Sequence, residues 1–224
     1  DRYSHDYSAK VRAWETWAEL KYSGLNLDAF FSAQLSGTAF WRTGYTQKGL
    51  FPDNSFGDSE HASFIDYGFH GGIDYKISGR HILRANALYK TQAPVVRNAF
   101  VSPRTRNQIV DGLKSETIYG GEASYIFRLP NITGRITAYY NKFEDNTRVI
   151  SFYHDSYQNL LNYILTGIDT RHRGIEFGFE YTIMDGLKTH GVLALGEYIY
   201  TSRPQIEAYV DNQAELVEEE SGQV

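Results

Sequence analysis

From Leu25 to Arg42 the chain alternates between two characters. Leu25, Leu27, Ala29, Phe31, Ala33, Leu35, Ala39 and Trp41 would share one face of an extended strand; Asn26, Asp28, Ser32, Gln34, Ser36, Thr38 and Arg42 would share the other. Strands in soluble proteins are usually about 5–6 residues long, so a run of this length with one greasy and one wet face fits few folds. In a soluble protein the apolar face must cover a core. In a transmembrane barrel it meets lipid, and the polar face lines a lumen. The pattern recurs between 64 and 89, where Ile65, Tyr67, Phe69, Ile73, Tyr75 and Ile77 alternate with Asp66, His70, Asp74 and Lys76. It returns with Tyr119, Ala123, Tyr125, Phe127 and Leu129, and again with Ile175, Phe177, Phe179, Tyr181 and Ile183. Eight strands are predicted, at about 10–22, 26–43, 62–77, 81–92, 115–129, 132–145, 168–183 and 187–201. The eighth has two apolar faces, Val192, Ala194, Tyr198 and Tyr200 against Leu193, Leu195 and Ile199, so its facing stays open.

The connections alternate in length. Ser23-Gly24, Ser78-Gly79-Arg80, Pro130-Asn131 and Asp185-Gly186 are tight-turn chemistries. The other connections are long: 44–61, 93–114, 146–167 and everything after 202. Short turns at one end and long loops at the other are the layout of a bacterial outer-membrane barrel. Aromatic pairs such as Trp14 with Trp17, Phe40 with Trp41, Tyr139 with Tyr140 and Tyr198 with Tyr200 are expected to form interface girdles. The fold class is therefore all-β, an antiparallel transmembrane β-barrel. The acidic stretch AELVEEESGQV and the loop-like start, with no basic segment followed by an apolar core, set the expectation of eight strands excerpted from a larger barrel.

Composition narrows function. Cysteine is absent, which removes disulfides and thiolate metal sites, and a net charge of -5 argues against nucleic acid as a partner. No apolar run is long enough for a transmembrane helix. No nucleophile elbow, zinc-protease helix motif or phosphate loop occurs. Glu176 and Glu180 lie about 13 Å apart on one strand face, too far for a glycosidase pair. The expectation is a non-enzyme without a cofactor. Metal binding is expected only weakly, at Asp53, Asp58, Glu60 and His61 of the first long loop, whose spacing does not match a calcium loop. Long loops are the better places for ligand contact. In the second, Arg97, Phe100, Arg104 and Arg106 could hold an anionic or ring-bearing ligand. In the third, Tyr153, Tyr157 and Tyr163 suit sugar or peptide contact.

Residues 111–122, DGLKSETIYGGE, resemble the segment of TonB-dependent receptors where a strand rises from an external loop; Leu113, Lys114, Glu116, Gly120 and Glu122 occupy the matching places. ITGRITAYYNKFEDNT resembles the following strand of that family. YILTGIDTRHRGIEFGFEY resembles the next, with Gly167, Gly174, Ile175 and Glu176 in position. The style is similar to receptors of the Bacteroidetes, and the likeness is best over about 62–202. It implies one barrel domain, part of a twenty-two-stranded wall whose plug and closing strands are not in this chain. It further implies active import of a large or scarce nutrient. Implied partners are outer-membrane lipid, a TonB energy-transducing complex reached through parts outside this chain, and a surface lipoprotein lid. A self-contained eight-stranded barrel with a structural or adhesion role is the alternative.

Overall fold

The computed structural model describes residues 5–155, 158–211 and, for the backbone alone, 216–221. Eleven strands form one antiparallel sheet: β1 (Tyr7–Ser23), β2 (Leu27–Gly44), β3 (Gly57–Asp58), β4 (Ala62–Ser78), β5 (His81–Gln92), β6 (Glu116–Arg128), β7 (Ile132–His154), β8 (Asn159–Met184), β9 (Leu187–Tyr200), β10 (Gln205–Val210) and β11 (Leu216–Ser221). Each long strand pairs with its sequence neighbour, and the two-residue β3 pairs only with β2. Past β8 the sheet forks: β9 pairs with residues 170–184 of β8, and β10 with residues 161–166. Among the described residues β1 pairs only with β2 and β9 only with β8, so the sheet is open.

The eight expected strands and all four tight turns are present. Gly24 N–H donates to Leu27 O at 2.8 Å, and Leu129 N–H to Ile132 O at 2.8 Å. Gly186 takes a left-handed φ of 82°, which its missing Cβ permits.

Pairing register settles the faces. Leu20 lies opposite Phe31, Phe31 opposite Gly71, and Ala33 opposite Phe69. Tyr89 lies opposite both Phe69 and Tyr119, Ile136 opposite Tyr125 and Phe177, and Phe177 opposite Leu193. One apolar face thus runs unbroken from β1 to β9, and Leu193 and Leu195 resolve the eighth expected strand by joining it. Phe31 and Phe69 are 50% and 46% exposed and stack on the outside of the sheet; no dry interior collects them with Phe177. The apolar band covers about eight or nine residues per strand, about 27 Å along the strand and about 20 Å in height at a 40° tilt, close to a hydrocarbon core.

Three expectations are corrected. The third long loop is instead a hairpin: β7 runs to His154 and β8 starts at Asn159. The cause is a level of bulges. Asp145 (φ 64°) and Gly167 (φ 69°) insert extra residues on the two partners, the register slips at Asn146 opposite Ile168, and it then recovers. The Glu-Asp-Asn and Thr-Gly stretches that resemble turns are these bulges. After Tyr200 the chain does not stay in a loop either, because β10 rejoins β8. Finally, Trp17 faces the concave side, opposite Gln34, whereas Trp14 stands on the outer face opposite Gly37, one pleat above the level of Tyr67. The aromatic row of the apolar face is made of tyrosines, with Tyr67 on Tyr89 at 6.0 Å and Tyr89 on Tyr119 at 6.4 Å.

Candidate functional site at the mouth of the sheet

Among the described residues the buried apolar side chains lie at the long-loop end, and two clusters of them sit on the other face. Phe40 points to the polar face because it sits at an even position of β2, and Phe64 of β4 joins it there at 5.5 Å. The segment 93–113 folds down onto this pair. Ala99 and Phe100 pack against Phe40, while Val101 and Val110 pack against Ile164 of β8 and Tyr209 of β10. One loop thus touches both sides of the sheet, which therefore curves around it and makes the polar face concave.

Polar groups pin the loop at both ends. Arg42, 1% exposed, donates from Nε to Pro103 O at 2.6 Å and from one terminal nitrogen to Ser55 O at 3.0 Å and to Asn107 Oδ1. Burial lowers its pKa, opposed by Tyr7, whose ring lies 5.1 Å from the guanidinium. Gly44 makes this approach possible: a Cβ there would stand 1.9 Å from Ser55 O and 2.5 Å from Arg42. Across the mouth, Ser102 donates to Asp211 Oδ1, Thr105 donates to Asp211 O at 2.9 Å, and Asn162 bridges Ser102 and Asp211 at 3.1 Å each. Asn98, ending a single 3-10 turn, donates to Thr147 O at 3.0 Å on β7.

The sequence candidates separate accordingly. Phe100 is buried in the loop core, and Arg106 is buried between the rings of Phe51 and Tyr209, at 4.8 and 5.2 Å. Desolvation lowers the pKa of Arg106 and raises that of Tyr209 to about 12. Arg97 is exposed and Arg104 half-buried. Tyr153 stands exposed on β7, and Tyr163 stacks on Phe152 at 4.9 Å, so both belong to strands and not to a loop. Tyr157 lies outside the described residues. Sequence reasoning missed Arg42, Asn98, Ser102 and Asp211. The available signal was Phe40, which with Phe30 is an aromatic residue on the wet face of β2.

Two clefts remain at this end. The first, of about 730 Å³, lies between residues 53–64 and 107–113 and brings Asp53, Asp58, Glu60 and His61 beside Asp111, with no Lys or Arg in its lining. Among the described residues no three His, Cys, Asp or Glu side chains converge to hold a metal ion. Asp58 instead accepts from the Thr43 hydroxyl, and His61 stacks on Trp41 at 4.4 Å. The second cleft, of about 550 Å³, lies on the concave face beneath Pro94–Val96. Glu15, Gln34, Asp66 and Lys90 line it; Asp66 is 2% exposed and its Oδ1 has no hydrogen-bond partner among the described residues.

A single-layer antiparallel sheet, apolar outside, polar inside and closed over by its own loop, is the wall of an outer-membrane β-barrel. No family model matches the sequence, and no curated protein matches it. Among solved structures the chain is similar to "Copper transporter OprC", with a TM-score of 0.69 and 16% identity. The match covers 89% of this chain and 31% of that one, so this chain spans about a third of the neighbour's length. At this identity the likeness establishes the fold, an outer-membrane barrel's.

Proposed function

We propose that this chain is part of the barrel wall of a TonB-dependent outer-membrane receptor, of the type found in Bacteroidetes, which imports a large or scarce nutrient. The observation that carries the reading is the inward-folded 93–113 segment: it narrows the mouth of a wide, polar-walled curve while leaving two clefts beside it. A mouth of this kind favours selective capture over free diffusion. The motifs at 111–122 and 163–181 and the likeness to a transporter barrel support the same reading. Capture would fall to groups around the mouth, among them the exposed Arg97 and Tyr153, the half-buried Arg104 and the acidic first cleft. The plug, the remaining strands and the contact with the TonB complex would lie outside this chain, and a surface lipoprotein lid would sit over the long loops. No catalysis is assigned to it. Copper is the neighbour's cargo; this chain has no Cys and one Met, which gives little support for a sulfur-rich copper site here. The open sheet favours a larger barrel over a self-contained eight-stranded one.

The test uses the full-length gene. The protein should fractionate with the outer membrane and shift in mobility on heating. Loss of the receptor and loss of the TonB complex should give the same growth defect on one limiting nutrient. A soluble product, or a receptor defect that TonB loss does not reproduce, would sink the proposal.

A further inference from the structure

Two carboxylates and a hydroxyl share one row of the concave face. Glu15 lies opposite Ser36 and Ser36 opposite Asp66, so the three stand side by side on β1, β2 and β4. The carboxylate-bearing residues are about 10 Å apart at the backbone. All three line the second cleft, beneath Pro94–Val96. Asp66 is the most buried of them, 2% exposed; its Oδ1 has no hydrogen-bond partner and it makes no ion pair among the described residues. β4 lies between β2 and β5, both strands of this chain, so the missing counter-charge is not read at an open edge of the sheet. Lys90, the cation of the same lining, donates from Nζ to Gln92 Oε1 at 2.9 Å instead.

The rest of the cleft narrows what could oppose this charge. Its upper side is carbon: Pro94, Val95 and Val96, with Val96 packed against the cluster that holds Phe40. Its two aromatic residues give no platform for a sugar ring, because Phe40 is buried in the loop core and Trp14 stands on the outer face. A buried carboxylate is costly unless a charge opposes it. A hydroxyl would satisfy the oxygen and leave the charge, whereas an ammonium does both. The first cleft, at the same end of the sheet, is acidic too, so the field there favours cations.

We propose that the second cleft binds the primary ammonium group of an amine cargo. Asp66 is its counter-ion, Glu15 a second carboxylate at the rim, and the Pro94–Val96 side covers the apolar body attached to the amine. This rests on the receptor reading above and narrows its substrate to amines. The full-length protein, purified in detergent, would be titrated calorimetrically with phenethylamine and with N-acetylphenethylamine, which share an apolar body and differ in charge. The amine should bind about tenfold more tightly. Asp66→Asn, which keeps the shape and removes the charge, should lower amine affinity about tenfold and erase the preference. Glu15→Gln should lower it about threefold. Glu122→Gln, on the concave face further down β6, should change nothing. Heat-modifiability of each variant reports assembly, and the exposed Glu15→Gln carries the conclusion if Asp66→Asn fails to assemble. Equal binding of the two compounds would overturn this inference; it is also the result expected if a basic side chain from elsewhere in the full-length protein already neutralises Asp66. Full amine affinity in Asp66→Asn, or an equal loss in Glu122→Gln, would overturn it as well. These outcomes leave the receptor reading standing. A receptor growth defect that TonB loss does not reproduce would instead overturn that reading and, with it, the role of the amine as cargo.

Discussion

The wall and the mouth of this sheet obey opposite rules. Below the bulges at Asp145 and Gly167, apolar side chains face outward and polar ones pair across the concave face. Examples are Arg84 on Asp74 at 2.7 and 2.6 Å, Lys76 on Asp28 at 2.5 Å and Ser124 on Thr137 at 2.8 Å. Above them Phe40 and Ile164 turn inward, and the 93–113 segment covers them with Phe100 and Val101, as in a soluble protein. Strand β2 meets both: Phe30 and Phe40 both face in, but only Phe40, at the mouth, is enclosed in the loop core. The difference teaches that the solvent on each side of a strand, not the strand itself, decides which face is greasy.

The largest expected effects separate these regions. Phe100→Ala removes a fully buried ring from the loop core and should cost about 3–5 kcal/mol locally. Hydrogen exchange across 98–110 should rise sharply while amides of the wall around Phe69 keep their protection. Uniform loss of protection in both regions would mean that wall and mouth are one cooperative unit. Phe31→Arg attacks the other rule and should cost about 2–4 kcal/mol of membrane assembly near the midplane. Ser32→Arg, one residue away on the concave face, should assemble normally. Equal loss of the heat-modifiable form in the two variants would break the assignment of faces.

The wall was almost wholly legible in the sequence, because a period of two and a turn residue act over a few residues and leave a direct trace. The mouth was not. Its core joins Phe40, Phe100, Ile164 and Tyr209, which are far apart in sequence and belong to no shared period. Loop composition marked Arg97, Phe100, Arg104 and Arg106 without saying that Phe100 and Arg106 are buried. The Asp145 and Gly167 bulges misled for a physical reason: a bulge and a turn need the same left-handed backbone, so they recruit similar residues.

A smaller change probes the far side of the mouth. Ser102→Ala removes the hydroxyl shared by Asp211, Thr105 and Asn162, while Asn162 still reaches Asp211 at 3.1 Å. The expected cost is about 1–2 kcal/mol. Limited proteolysis within 99–108 should accelerate without loss of assembled barrel. Unchanged cleavage would show that the apolar core alone holds the loop.

The smallest effect concerns pH at the border between the two regions. Glu116, at the upper start of β6, has its carboxyl pushed above the usual glutamate range by burial, against the pull of Asn146, Lys90 and Arg148. A raised carboxyl value means that the folded state prefers the protonated form. Its contribution to stability is therefore fully present below the ordinary glutamate value and is lost as pH rises through the raised one. Amides of 116–119 and of their partners 142–144 should be better protected from exchange at pH 4 than at pH 7, after correction for intrinsic rates. Glu116→Gln should flatten that difference while leaving the wall unchanged. A wild-type pH difference that persists in full in Glu116→Gln would assign the titration to another group and leave Glu116 without a role at this border.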